Sequence, residues 1–265
     1  MPMLSPFWAL LPLAVALMSV SLLQRYLSTP GGSRYVSIDG LRGYLAFFVV
    51  VHHAVVWNSY LKDGVWKLPE SNLYAHFGQT SVSVFFMITG FLFWNKISKE
   101  DFLKFDWIRL YSSRVLRLCP LYYFAMAVLF ATVFALSGWQ LNVSWPNFMS
   151  QLLPWLAFAY PSAPDVNNIA HTTLIMAGAV WTLKFEWAFY LSLPFFSLML
   201  KNKWLQRTEW KQVFFLLFLL VMLSPSMGPE NSFFGGVIAS YVVRIKGVTE
   251  KVKNSLLYSG IALAA

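Results

Sequence analysis

Seventeen of the twenty lysines and arginines in this chain fall in four clusters, and long apolar stretches separate them. The clusters are Arg25, Arg34 and Arg42; Lys96, Lys99, Lys104, Arg109, Arg114 and Arg117; Lys201, Lys203, Arg207 and Lys211; and Arg244, Lys246, Lys251 and Lys253. Bases gathered at the ends of apolar runs fix the side of a membrane on which each helix end stays, so all four groups are expected in the cytoplasm. Lys62 and Lys67 then lie on the opposite side, and Lys184 within a span. The composition agrees: 58% of the residues are hydrophobic and 12% charged, where a soluble domain carries about 25% charge. These features predict an all-α fold, a polytopic bundle of transmembrane helices forming one domain over residues 1–265. The net charge of +9 does not point to nucleic acid, because the bases sit between apolar runs rather than on one face that could track phosphates.

A first apolar segment covers residues 6–27. It lacks a basic start and its apolar run is long for a signal peptide, which predicts a retained, extra N-terminal helix. Pro30, Gly31 and Gly32 break it. Further spans are expected at 43–59, 77–95, 118–136 and 181–200, with two shorter ones near 212–226 and 231–245. Residues 60–76 read as a polar loop. The last run, Leu256 to Ala265, falls short of the about 20 residues that a crossing needs, so the domain reads as incomplete at its C-terminus. Residues 137–180 hold apolar pieces near 147–160 and 172–180, and the basic clusters on either side are both cytoplasmic. This stretch must leave and return on the outer face, as a re-entrant hairpin or a pair of helices. Irregular backbone at that depth is tolerated when it is buried in protein or lines a cavity, and a cavity is expected here.

Polar residues inside the apolar frame mark the candidate site. The stretch Ile38 to His53 opens on Asp39-Gly40-Leu41-Arg42-Gly43 and ends on two histidines. Arg42 and His53 are 11 residues apart; at about 100° per residue they share a helix face, and the rise between them is about 16 Å. Both are expected to face a common cavity, because neither belongs in lipid. His52 points about 100° away and reads as a packing or hydrogen-bonding neighbour. Arg114 and Arg117, three apart, stand side by side on a helix and form either a phosphate clamp or plain topology-setting charge. Thr182, Glu186 and Tyr190 form a polar stripe at i, i+4 and i+8; an intramembrane glutamate needs a partner, here a functional one or an ion pair with Lys184 or an arginine. Phe85 to Phe91 includes Thr89 and Gly90, which permit close helix approach. Cys119 is the single cysteine and reads as incidental, and four histidines without an H-x-x-x-H pairing predict no metal site.

Taken in order, these stretches resemble the membrane acyltransferase-3 family. The matching motifs are D-G-L-R-G with Arg42 and His53 at R-x10-H, F-F-x-x-[S/T]-G-F-L over Phe85 to Leu92, and R-x-x-R-x-x-P at Arg114, Arg117 and Pro120. W-T-L-x-x-E-x-x-F-Y over Trp181 to Tyr190 and F-F-x-G over Phe233 to Gly236 complete the set. Thr89 stands where serine is usual. The resemblance implies an enzyme of a bacterial inner membrane that takes an acyl group, commonly acetyl, from cytoplasmic acyl-CoA. The acceptor would be a hydroxyl of a carbohydrate or lipid-linked glycan. On that basis Arg42, Arg114 and Arg117 are expected to bind the CoA, with no metal. His53 would serve as general base or transient acyl carrier, and Glu186 would orient the histidine or bind the acceptor. The rival reading is a proton-coupled transporter, since arginine, histidine and glutamate within a membrane also suit a proton relay. The inverted repeats that would favour it are not seen.

Overall fold

The computed structural model describes residues 7–23, 26, 35–99, 102–201, 228 and 231–243. Among them the chain is all-helical: α1 Phe7–Leu23, α2 Val36–Asp63, α3 Asn72–Ile97, α4 Trp107–Leu136, α5 Trp145–Leu156, α6 Thr172–Ile175, α7 Trp181–Lys201 and α8 Ser232–Val242. Helices α2, α3 and α4 are each long and apolar enough to cross a membrane. The expected span at 212–226 and the short apolar run from Leu256 onward lie outside the described residues.

Two helices begin earlier than their apolar runs. The spans expected at 43–59 and 118–136 are parts of helices that start at Val36 and Trp107. Helical hydrogen bonding does not stop where hydrophobicity does, so the polar turns continue the helix beyond the membrane-length run. Asp39-Gly40-Leu41-Arg42-Gly43 therefore lies within the first turns of α2 rather than leading into it, and Arg114 and Arg117 are both helical. Asp106 caps α4 by accepting the Arg109 amide at 2.8 Å.

α2 and α3 run antiparallel, as their paired contacts show. Tyr35 meets Phe91 edge-on at 5.9 Å, Phe48 stacks on Phe77 at 4.6 Å, and His52 Nδ1 lies 2.7 Å from the Tyr74 carbonyl oxygen. Glycine brings α3 and α8 together. A Cβ on Gly90 would overlap the Phe233 carbonyl, and one on Gly236 would overlap the Met87 carbonyl. Close backbone approach between small residues is how helices gain packing in a solvent as apolar as themselves. Around this contact Phe86, Phe189 and Phe233 stack with centroids 4.3 and 4.4 Å apart, joined by Leu110, Tyr190 and Leu193.

The stretch 137–180 is not a pair of full helices; the chain after α5 folds back beside it, Trp155 donating to the Pro164 carbonyl and the Asn167 amide to Gln151 Oε1. The stretch is one 12-residue helix, α5, followed by irregular backbone and the single turn α6. Seven non-glycine residues between Trp139 and Ala177 have φ near +60°, a conformation held only where surrounding structure enforces it. Asn167, fully buried, supplies much of that enforcement. Its Oδ1 accepts the Asn142 amide at 2.7 Å, and its Nδ2 donates to Ser137 Oγ at 2.9 Å and the Gln140 carbonyl at 2.8 Å. Tyr122 of α4 donates to the Trp155 carbonyl, tying this cap to the bundle.

Candidate active site

The first turns of α2, the last turns of α3, the first half of α4 and the upper part of α7 enclose a cavity of about 710 Å³, the size of a small-molecule site. Its charged lining is lopsided. Arg42, Lys96, Lys99, Arg114 and Arg117 face two carboxylates, Asp39 and Glu186, leaving a surplus of three positive charges among the described lining residues. Asp39 sits 4.0 Å from Arg42 one helical turn away and partly offsets it.

The cavity's polar groups are braced through aromatic rings. Arg114 holds its guanidinium 5.1 Å from the Phe93 centroid, a cation–π distance. The Phe93 ring lies 5.0 Å from that of Tyr190, and the Tyr190 hydroxyl donates to Glu186 Oε2 at 2.9 Å. Tyr111 on α4 donates to the Tyr190 backbone oxygen at 3.0 Å, fixing α7 against α4 at the same level. Among the described residues no cation approaches Glu186 within the 4.0 Å of an ion pair, and Lys184 instead lies 5.1 Å from the Phe185 centroid. The positive charges whose field reaches Glu186 are those of Arg114, Arg117 and Arg42. The structure thus brings Arg42, Arg114, Arg117 and Glu186 to one cavity.

His53 is not among the described residues that line that cavity. The cavity occupies the end of the bundle where α2 begins, whereas His53 lies 11 residues further along α2, about 16 Å by helical rise. Its Nδ1 is buried and has no hydrogen-bond partner among the described residues. The two neighbouring histidines stand in different surroundings. His52 donates through Nδ1 to the Tyr74 carbonyl, and its ring fills the space over Gly78, where a Cβ would come within 2.7 Å. The rings of His52 and His53 meet edge to face at 5.3 Å.

Sequence reasoning missed the roles of Phe93, Lys96 and Lys99. The two lysines look like ordinary topology-setting charge in a linear reading, and Phe93 is one of 24 phenylalanines. Tyr190 carried a signal, since it follows Glu186 by four residues on a helix. Among the described residues no three His, Cys, Asp or Glu side chains converge to hold a metal ion.

A family model described as an acyltransferase domain matches residues 35–265. No curated protein and no solved structure gives a significant match to the chain.

Proposed function

Because the chain belongs to the acyltransferase-3 family, we propose that it is an O-acyltransferase of a bacterial inner membrane. It moves an acyl group, acetyl in the simplest case, from cytoplasmic acyl-CoA to a hydroxyl of a carbohydrate or lipid-linked glycan. The observation that carries this reading is the basic cavity, with three arginines converging on one space beside Glu186. Guanidinium forks match phosphate oxygens two at a time, which suits the diphosphate of CoA. The end of the bundle where two basic clusters meet is the cytoplasmic end by the positive-inside rule, the side on which acyl-CoA is made.

His53 lies beyond the cavity, and the donor's own shape supplies the link. The pantetheine arm of CoA is about as long as four to five extended residues, comparable to the rise of about 16 Å from Arg42 to His53. A nucleotide held by the arginines therefore directs its thioester toward the histidine. There His53 takes the proton of the acceptor hydroxyl while that oxygen attacks the thioester carbonyl. The C–S bond breaks and the CoA thiolate leaves, taking up a proton. In the covalent variant, His53 first receives the acyl group and then passes it to the hydroxyl. The buried Nδ1 of His53, without a hydrogen-bond partner among the described residues, supports a role in either route.

The test is release of free CoA thiol from acetyl-CoA by the full chain in detergent, with and without glycan acceptors. Acceptor-dependent release together with acylated glycan supports the assignment. No transfer to any acceptor, combined with movement of protons or solute across sealed vesicles, hands the site to a carrier instead.

A further inference from the structure

Two of the five cavity bases are unlike the arginines. Lys96 closes the last turn of α3 and Lys99 follows the helix end; both are exposed, at the open rim of the cavity. Among the described residues neither has a carboxylate within ion-pair distance. Lys96 rests its ammonium 5.7 Å from the Phe105 centroid, which holds the side chain without neutralising it. Arg114 stacks on Phe93, and from Phe93 Lys96 stands three residues further along α3, about 4.5 Å of helical rise, with Lys99 past the helix end. The cavity thus has two tiers of positive charge: half-buried Arg42 and Arg114 within it, and exposed Lys96 and Lys99, with exposed Arg117, outside them.

A diphosphate satisfies the inner tier and leaves the outer one unmatched. CoA carries a further phosphate, the monoester on the 3′ oxygen of its ribose, one sugar away from the diphosphate and bearing about −1.5 to −2 charges. We propose that Lys96 and Lys99 form a subsite for that 3′-phosphate, so that the cavity selects CoA over its dephospho form. This rests on the acyl-CoA reading of the same cavity. Lysine suits the position: a flexible ammonium at a wet rim meets a freely rotating phosphate monoester as a point charge, without the fixed fork that a buried diphosphate rewards. Complementing the C-terminal dipole of α3 accounts for a base at Lys96; it does not account for Lys99 beyond the helix end, nor for both lysines lining the cavity with the arginines.

The experiment compares equilibrium binding of CoA and dephospho-CoA to the purified full chain in a neutral detergent free of anionic lipid. Wild type is expected to bind CoA about tenfold or more tightly, the scale of a charge-assisted contact. Lys96→Gln combined with Lys99→Gln should bind both ligands as wild type binds dephospho-CoA, and Lys96→Arg with Lys99→Arg should keep the preference. Equal affinity of wild type for the two ligands overturns the subsite, and needs no variant to show it. A preference that survives the double glutamine change removes the two lysines from it. Binding of neither ligand instead overturns the acyl-CoA reading itself, which separates the two failures.

Discussion

The hydroxyl of Tyr190 donates to Glu186 Oε2 at 2.9 Å, one helical turn away on α7, and the same tyrosine's ring lies 5.0 Å from Phe93, on which Arg114 stacks. One residue therefore connects the cavity's glutamate to the brace that holds one of its arginines. A polar pair on an apolar helix is satisfied within its own helix, so the cavity's shape need not change to accommodate it.

Tyr190→Phe removes the hydroxyl and leaves the ring contacts. Acyl transfer is expected to slow about tenfold, the worth of one such hydrogen bond, while Arg114 keeps the Phe93 ring it stacks on and loses its own contact with the Tyr190 hydroxyl. A matching rise in KM with kcat intact would assign Tyr190 to donor binding rather than to the placement of Glu186.

Arg114→Lys and Arg117→Lys keep the charge and lose the planar fork. Weaker CoA binding by about tenfold in at least one of them is expected from calorimetry or ligand competition. Arg114 should be the more sensitive, since it is half-buried and stacked on Phe93 whereas Arg117 is exposed. Unchanged affinity in both variants would return these arginines to topology-setting charge.

Gly90→Ala and Gly236→Ala each place a methyl group into the facing backbone of α8 or α3. A loss of about 1–3 kcal/mol is expected for forced overpacking, read as a lower thermal midpoint in detergent for each variant. Gly40→Ala is the control, because among the described residues nothing lies within 4 Å of its Cβ position. Equal midpoints in all three variants would mean that α3 and α8 do not rely on glycine.

The helices and the inner charge were readable from the chain because both rest on local signals. Apolar runs of membrane length and the bases at their ends located α2, α3, α4 and α7, and helical spacing paired Arg114 with Arg117 and Glu186 with Tyr190. What escaped depends on contacts distant in sequence. The brace from Arg114 through Phe93 to Tyr190 joins three helices, and no period in the sequence encodes it. The cap over 137–180 is built on left-handed residues such as Asn167 and His171 and on side-chain bonds to Ser137 and Gln140, with neither helical nor strand periodicity to betray it. The spacing of Arg42 and His53 gave their common helix face but not the extent of the cavity, because sharing a face says nothing about how far along it a cavity reaches.

The division of labour between the cavity and His53 is tested most directly by measuring CoA affinity and acyl transfer together in wild type and in His53→Ala. A general base contributes about 10²–10⁴-fold, so transfer from acetyl-CoA to a glycan acceptor should fall by at least about a hundredfold. CoA affinity should stay within about twofold of wild type, because the arginines that hold the nucleotide lie about 16 Å along the helix. Equal transfer rates in the two proteins, or loss of CoA binding along with activity, would contradict the account.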